Sequence, residues 1–354
     1  MQLRSICCGL LALCAGALSA TAHAVPSLVS PTLGTLELVA HDNLGLARID
    51  GLAFDRYGNL FATRETLDSS GGVSYIDRQT GAVSVIASSI KGSDQIAFAP
   101  DGALYVTSEL SPQPSDVGGT YRLTIQYDAQ QRPTGASKQF IATTPTLLNN
   151  PEGLVVLDSA SAYGSTGSLL IAEDRSGGRI LQLDPASGAV VTLVDSGAGL
   201  ARPEGLAFGR LAGSGTSALY AAITAASRVY RVDADGSMQV LAEAGSAALD
   251  LRWPDNLEFG PDGKLYAGED QAGVPGRILR FGAGGTVEAI ATGFLKPQGM
   301  AFDASTGDLY IAEQGANSLW RLHFAPVAEP DGTLWAALAL AAVFSRRRRG
   351  LQTA

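Results

Sequence analysis

The chain has 354 residues, of which 46% are hydrophobic and 17% are charged, and it carries a formal net charge of −9. A phosphate backbone needs a basic protein face, so this acidic balance excludes nucleic acid as a partner and favours cations. All three cysteines lie within the first 24 residues. The rest of the chain therefore offers no disulfide, no thiolate metal site and no cysteine nucleophile.

Residues 1–24 have the features of a secretory signal peptide. Arg4 precedes an apolar stretch that runs to Leu18, and the small-residue sequence Ala22-His23-Ala24 closes the segment. This order of charge, apolar stretch and small residues predicts cleavage after Ala24 and export of the remainder. The part from Val25 to Phe324 then holds 20 basic and 32 acidic residues, because Arg4, Arg346–Arg349, Glu329 and Asp331 fall outside it.

The central region, residues 25–324, repeats one phrase six times. Each copy has an apolar run, a glycine-containing turn and a second apolar run, and weaker strands with Asp-Gly and Ser-Gly turns follow. The copies begin at Ile49, Ser93, Pro151, Pro203, Pro254 and Pro297, at intervals of 43 to 58 residues. This spacing is typical of propeller blades, so we predict an all-β protein with a six-bladed β-propeller.

The sixth copy offers only three strands, which end at the sequence SLWRLHF. A fitting fourth strand, Thr35 to Ala40, precedes the first copy. A circular array closes when its first segment completes the last blade, and closure protects the sheet edges from aggregation. We therefore predict that the N-terminal strand closes the ring.

Polar residues stand where the first strand of each blade begins. In a propeller these strands line the central channel, so the six residues should meet at one mouth. They are Asp50, Asp94, Glu152, Glu204, Asp255 and Gln298, with Asn256 next to Asp255. Clustered carboxylates repel one another, and oxygen ligands from several directions suit Ca²⁺. The exported part has only His41 and His323, so we expect a divalent cation, with Ca²⁺ preferred, rather than a softer metal.

Further charged residues flank this inner ring. Acids that end the second strands are interpreted as structural turn and loop residues: Glu65, Glu109, Glu173, Asp174, Glu269, Asp270 and Glu313. Basic residues precede the inner ring: Arg48, Lys91, Arg202, Arg252 and Lys296. Two interpretations of the basic residues stay open, namely salt bridges that balance the acids, or a clamp for an anionic substrate beside a metal.

The C-terminal residues divide into a linker, 325–333, and a short apolar segment with arginines, 334–354. The apolar run from Leu334 to Phe344 has 11 residues, fewer than the ~20 of a spanning helix, and Arg346–Arg349 follow it. This tail resembles the PEP-CTERM sorting signal, with Ala328-Glu329-Pro330 in place of Pro-Glu-Pro. The resemblance implies transient anchoring in the inner membrane, cleavage by an exosortase-type sorting enzyme, and release at the cell surface. An ordinary tail anchor is the alternative.

The phrases PEGLAF and PDNLEFGPDGKLYAGED, followed by GRILRF, resemble the regucalcin/gluconolactonase family, the related paraoxonases and, more broadly, NHL-repeat propellers. The resemblance implies a divalent cation in the channel, held by an acid in blade one, an amide in blade four and an acid in blade five. Carried over, these positions are Asp50, Glu204 and Asp255, so a glutamate stands where the family has an amide. The resemblance also implies an amide in blade three that contacts the substrate; Pro151-Glu152 stands there instead, so this contact is lost unless Asn149 or Asn150 substitutes for it, and Asn150 is our candidate.

Two hypotheses of function follow. The first is a metal-dependent hydrolase of lactones or esters, with Asp255 as general base. Its metal ligands come from Asp50, Asp94, Glu152, Glu204, Asp255 and Asn256, and its substrate contacts from Arg202, Arg252 and Asn150. The second is a non-catalytic propeller at the cell surface, associated with exopolysaccharide, that binds a cation or a glycan. Both hypotheses expect a monomer.

Overall fold

The structure is a computed structural model that describes residues 25–110, 118–144, 148–245 and 249–326. The predicted signal peptide and the predicted sorting signal lie outside the described residues. No helix in the described part is long and apolar enough to cross a membrane. Twenty-five strands form six sheets, which confirms the predicted all-β, six-bladed propeller.

Each blade is an antiparallel sheet whose strands follow one another in chain order. Before blade one come β1 (Ser27–Leu28) and β2 (Gly34–His41). Blade one holds β3 (Ile49–Phe54), β4 (Leu60–Arg64), β5 (Gly72–Ile76) and β6 (Val83–Ser88). Blade two holds β7 (Ser93–Phe98), β8 (Leu104–Ser108), β9 (Gly119–Tyr127) and β10 (Pro133–Ile141). Blade three holds β11 (Pro151–Val156), β12 (Leu169–Glu173), β13 (Ile180–Leu183) and β14 (Val190–Val194).

The other three blades repeat this order. Blade four holds β15 (Pro203–Gly209), β16 (Ala218–Ile223), β17 (Arg228–Val232) and β18 (Met238–Glu243). Blade five holds β19 (Pro254–Phe259), β20 (Leu265–Glu269), β21 (Gly276–Phe281) and β22 (Val287–Phe294). Blade six holds β23 (Pro297–Phe302), β24 (Leu309–Glu313) and β25 (Ser318–Phe324). Short 3₁₀ turns lie at Pro31–Leu33, Ser196–Ala198, Thr224–Ala226, Ala283–Gly285 and Gln314–Ala316.

The N-terminal strand closes the ring, as predicted. Strand β2 pairs antiparallel with β25, with Leu36 opposite Leu322 and Leu38 opposite Trp320, and so supplies the fourth strand of blade six. Strand β1 pairs with β22 and adds a fifth strand to blade five, which the sequence did not predict. The first strands of neighbouring blades contact one another all the way around, so the channel is bounded by β3, β7, β11, β15, β19 and β23.

The hydrophobic core is divided into six clusters, one between each pair of neighbouring blades. Between blades six and one, for example, Tyr310 packs among Leu60, Ile76 and Leu319, all fully buried. Its ring meets Phe54 of blade one edge-to-face, with the ring centroids 5.4 Å apart. Because each blade buries both faces against its neighbours, the ring holds the start of every first strand in a fixed place.

Candidate functional site

A cavity of about 420 Å³ opens where the first strands begin, at the mouth of the channel. Sixteen residues line it: Arg48, Asp50, Glu65, Asp94, Glu109, Asn150, Glu152, Asp174, Arg202, Glu204, Thr224, Trp253, Asp255, Asp270, Lys296 and Gln298. All six predicted inner-ring residues are among them. Nine carboxyl groups thus face three cationic side chains, so the cavity holds an excess of acid.

Local backbone geometry aims the inner-ring side chains into this cavity. Every first strand has a β-bulge over its first four residues, and the inner-ring residue lies inside the bulge. A bulge bends the strand and redirects a side chain, which is why bulges recur beside sites. A glycine follows the inner-ring residue in four blades. A Cβ on Gly205 would lie 2.1 Å from the Asp255 carbonyl oxygen, so glycine permits the close approach of neighbouring first strands.

The residue two positions before each inner-ring residue forms the rim of the cavity. In all six blades it has a left-handed backbone, with φ between 40° and 60°. These rim residues are Arg48, Gly92, Asn150, Arg202, Trp253 and Lys296. All but Gly92 line the cavity, and a Cβ on Gly92 would lie 2.7 Å from Cβ of Glu109. Blade two therefore contributes no rim side chain, and Glu109 fills the space beside Gly92.

The rim register corrects two of the sequence-based assignments. Arg252 stands one residue before the rim position and does not line the cavity; Trp253 occupies that position instead. Asn256 also lies outside the lining, because it follows the inner-ring position and faces a second cavity of about 220 Å³ further down the channel. The other predicted site residues share the mouth cavity, since they occupy inner-ring or rim positions.

The acids that follow the second strands divide by position. Glu65, Glu109, Asp174 and Asp270 come one residue after their strands, at the turns where they were predicted, and they also line the cavity. Glu173, Glu269 and Glu313 are the last residues of their strands and have structural roles. Each accepts a hydrogen bond from a backbone N–H just before the rim, from Asn149 at 2.8 Å, Arg252 at 2.6 Å and Leu295 at 2.7 Å respectively.

In blades five, six and one, glutamine side-chain amides donate hydrogen bonds to most of the acids. We call Asp50, Glu65, Asp255 and Asp270 the amide half of the cavity. Gln95 and Gln314 donate to the two oxygens of Asp50 at 2.9 Å and 3.0 Å, and Gln314 also donates to Glu65 at 2.5 Å.

Gln298 continues this pattern at Asp255. In the orientation that satisfies both ends of its amide, it donates to both Asp255 oxygens at 2.8 Å and accepts from Lys296 Nζ at 2.9 Å. Arg48 Nη2 lies 2.5 Å from Glu65 Oε1. Asp270 is the exception, because its Oδ1 has no hydrogen-bond partner among the described residues.

In blades two, three and four, fewer donors reach the acids. We call Asp94, Glu109, Glu152, Asp174 and Glu204 the carboxylate half. Arg202 holds Asp174 with two hydrogen bonds of 2.7 Å and 2.5 Å, and Thr224 Oγ1 donates to Glu204 at 2.7 Å. Asn150 donates to Glu152 at 3.1 Å. No amide, hydroxyl or cationic donor from the described part of the chain bonds to the carboxyl group of Asp94.

The pKa values of the acids in the carboxylate half reflect this crowding. Burial raises the pKa of Asp94 well above its usual range, and the charges of Asp50 and Glu65 raise it further. Burial also raises the pKa of Glu109 to about 7, with Glu65 adding to the effect, and the pKa of Glu204 to about 7. The pKa of Glu152 is raised well above its usual range by burial and then by Asp94. Burial and the neighbouring carboxylates thus both oppose ionisation of these acids, a cost that a bound cation would offset.

Two groups of three carboxylates bring their oxygens within 4.8 Å of one another: Asp94 with Glu109 and Glu152, and Glu152 with Asp174 and Glu204. Both groups lie in the carboxylate half and share Glu152. The ligand atoms are all carboxylate oxygens, the donors that hard divalent cations prefer. Among the described residues, the groups of acids that could hold a metal ion therefore lie in blades two to four, whereas the family resemblance implied blades one, four and five.

The fold and this cavity define a six-bladed propeller with an acidic channel mouth. The chain belongs to the SMP-30/Gluconolactonase/LRE-like region family, whose model matches residues 158–334. This confirms the gluconolactonase-like part of the sequence-based prediction. No protein in a search of curated proteins matches the chain.

Solved structures share the fold at low identity. A putative gluconolactonase is 13% identical with a TM-score of 0.59, over 85% of this chain and 98% of that one. A gluconolactonase from Xanthomonas campestris is 15% identical with a TM-score of 0.56, over 84% and 100%. Virginiamycin B lyase from Staphylococcus aureus is 12% identical with a TM-score of 0.53, over 82% and 99%. At these identities the likeness shows the fold alone.

Proposed function

We propose that the protein is an exported, divalent-cation-dependent hydrolase of lactones or esters, with its site in the mouth cavity. The observation that carries this proposal is the convergence of three carboxylates, twice over, around Glu152 in a propeller of the gluconolactonase-like family. The family contains gluconolactonases, and its members are commonly metal-dependent. Ca²⁺ is the preferred ion because the donors are hard oxygens at several orientations.

Glu152 is the central ligand in this proposal, since it belongs to both carboxylate groups. The Asp94 and Glu109 side is favoured over the Asp174 side, because Arg202 already neutralises Asp174. Asp50 and Asp255, which the family resemblance implied as ligands, already have amide partners. When bound, the cation would polarise the carbonyl group of the substrate.

Asp255 serves as the general base. Burial raises its pKa well above the usual range, and the nearby Glu204 raises it further, which makes this carboxyl group a better proton acceptor when ionised. Gln298 holds both of its oxygens in place. Arg202 and Asn150 lie at the rim, where they can contact the substrate, and Lys296 lies at the rim position of blade six.

We also propose that the chain leaves the cytoplasm through its N-terminal segment. On this proposal its C-terminal tail anchors it transiently until a sorting enzyme releases it. A fusion that carries residues 325–354 should stay at the inner membrane in a host without an exosortase-type enzyme and be released in a host that has one. Equal retention in both hosts would contradict the sorting proposal and favour a plain anchor.

The test of activity uses the purified full chain with a panel of lactones and aryl esters, in chelator and in millimolar Ca²⁺. We expect turnover only with the cation. Glu152→Gln should reduce turnover at least 100-fold, about 2.7 kcal/mol in transition-state stabilisation. Asp101→Asn is the control, because Asp101 lies outside the lining of the mouth cavity, where it pairs with Arg122 and accepts from the Ala103 N–H at 2.9 Å. Cation binding without turnover of any substrate would reject the hydrolase and favour a binding propeller.

A further inference from the structure

Trp253 differs from every other residue at the mouth of the channel. It is the one aromatic side chain among the sixteen that line the cavity, and 39% of it is exposed. The rim positions of the other blades hold the same backbone conformation with arginine, glycine, asparagine or lysine. The fold therefore requires no tryptophan at this position.

Two hydrogen bonds of its backbone position Trp253 at the rim. Its N–H donates to Ser227 Oγ at 3.2 Å, and its carbonyl oxygen lies 3.4 Å from the Asp270 amide nitrogen. Trp253 belongs to none of the six core clusters of the described residues, and no ring of the described part stacks on it. A left-handed φ of 40° is also unfavourable for a bulky residue. All six rim positions share this left-handed conformation, so the backbone fixes where the side chain stands, and only at Trp253 does a large aromatic group bear the strain.

The surroundings of Trp253 define what it can bind. On either side along the rim stand Arg202 and Lys296, and beneath them lie carboxyl groups and Thr224. An indole face covers the flat, weakly polar face of a ring. The remaining lining offers mainly hydrogen-bond acceptors, which ring hydroxyl groups satisfy and which an aryl or alkyl group would leave without partners.

We propose that Trp253 is the specificity-determining residue of the site and forms the wall against which a hydroxylated saturated ring packs. The hydroxyl groups of that ring donate to the carboxylates of the cavity. The site then discriminates between a cyclic polyol and its open-chain counterpart, which carries the same hydroxyl chemistry but presents no flat face. This inference rests on the proposed function, because it assigns the ligand of the same cavity.

The test compares two unreactive probes, 1,5-anhydroglucitol, which is a ring, and glucitol, which is its open chain. Binding to the full chain is measured by titration calorimetry, once in chelator and once in Ca²⁺. We expect the ring to bind at least tenfold more tightly than the open chain. Trp253→Ala should abolish this ratio, and Trp253→Phe should restore part of it. Melting curves of both variants confirm that they are folded.

Fluorescence gives a second readout. The chain has three tryptophans, Trp253, Trp320 and Trp335. Titration with 1,5-anhydroglucitol should change the emission of wild type and of Trp320→Phe, and leave that of Trp253→Phe unchanged. Trp320 is a suitable control because its Nε1 donates to Glu313 at 2.6 Å, away from the cavity lining.

The inference is overturned if ring and open chain bind equally to wild type, or if Trp253→Ala keeps the preference. Tighter binding of an aryl probe, methyl benzoate, than of the ring would likewise reject the assigned ligand class. Failure of the proposed hydrolase is distinguishable, because these probes are not turned over. A ring preference that depends on Trp253 can therefore be measured in a protein that hydrolyses nothing.

Discussion

The two halves of the mouth cavity carry acids at equivalent positions of the repeat but differ in the hydrogen-bond donors that reach these acids. In the amide half, Gln95, Gln298 and Gln314 supply donors to Asp50 and Asp255. In the carboxylate half, by contrast, three or more carboxyl groups approach within 4.8 Å with few donors between them. The repeat itself thus builds a ring of acids, and the residues beside each acid decide whether it is a structural element or a candidate ligand.

The largest expected effect is the stabilisation of the folded protein by Ca²⁺. A ligand that binds only the folded state stabilises it by about 2.7 kcal/mol at a free concentration 100 times Kd. Wild type should gain this increment when Ca²⁺ replaces chelator, and Glu152→Gln should lose it because Glu152 belongs to both carboxylate groups. Asp50→Asn, in the amide half, should keep it. The measurement is calorimetric unfolding of each variant in chelator and in Ca²⁺.

Two further variants sharpen the position of the cation. Glu109 belongs only to the first carboxylate group and Asp174 only to the second. Glu109→Gln should reduce the calcium increment more than Asp174→Asn does, because Arg202 already pairs with Asp174. If Asp50→Asn removes the increment and Glu152→Gln does not, the cation lies beside Asp50, one of the three positions that the family resemblance implied.

An intermediate loss of folding free energy is expected when a donor in the amide half is removed. Gln314 is 5% exposed and donates to both Asp50 and Glu65. Gln314→Leu removes one donor from each of these buried acids and leaves only Gln95 on Asp50 and Arg48 on Glu65, which should cost roughly 1–3 kcal/mol of folding free energy. The loss should be the same in chelator and in Ca²⁺. Gln130→Leu, at an exposed position, is the control. A loss that Ca²⁺ restores would show that the cation also serves this half.

Much of the architecture could be read from the sequence. Six copies of one phrase predicted six blades, and the unpaired Thr35–Ala40 predicted the closing strand, because both depend on alternation and turn signals. Strand β1 was missed, since two residues, Ser27 and Leu28, carry no periodic signal. The inner ring was found because its members occupy the same position in each copy.

The rim was not predictable in the same way. Arg252 and Trp253 are adjacent, and only the left-handed backbone before the bulge decides which of them faces the cavity. Periodicity assumes a regular strand and cannot place a side chain across a bulge. The amide partners are also non-local: Gln314 reaches Asp50 from the other end of the chain. Aligning the six copies two residues upstream of each acid would have indicated Trp253.

The smallest expected effect is on the pH dependence of stability and comes from a residue inside the channel, below both halves of the mouth cavity. Three residues after the inner-ring position, five blades carry Ala or Val, and blade five carries Glu258, which faces the lower cavity. Burial raises the pKa of Glu258 to about 8, although a hydrogen bond from the Phe302 backbone opposes the shift. Between pH ~4.5 and 8 the folded state therefore holds a proton that the unfolded state has lost. Stability contributed by this proton falls as pH rises through that window.

Glu258→Gln removes this titration and should flatten the pH dependence. Glu258 keeps partial contact with solvent in the channel, so we expect a gain of only about 1 kcal/mol at pH 8 and none at pH 4. Glu288→Gln is the control, because Glu288 is an exposed acid of the same blade whose ion pair with Arg280 should contribute at most about 1 kcal/mol. The measurement is urea unfolding at pH 4, 6 and 8. If the variant and wild type lose stability in parallel as pH rises, the acids at the mouth rather than Glu258 set the pH dependence. The difference between the two halves of the mouth cavity would then control stability as well as the proposed cation binding.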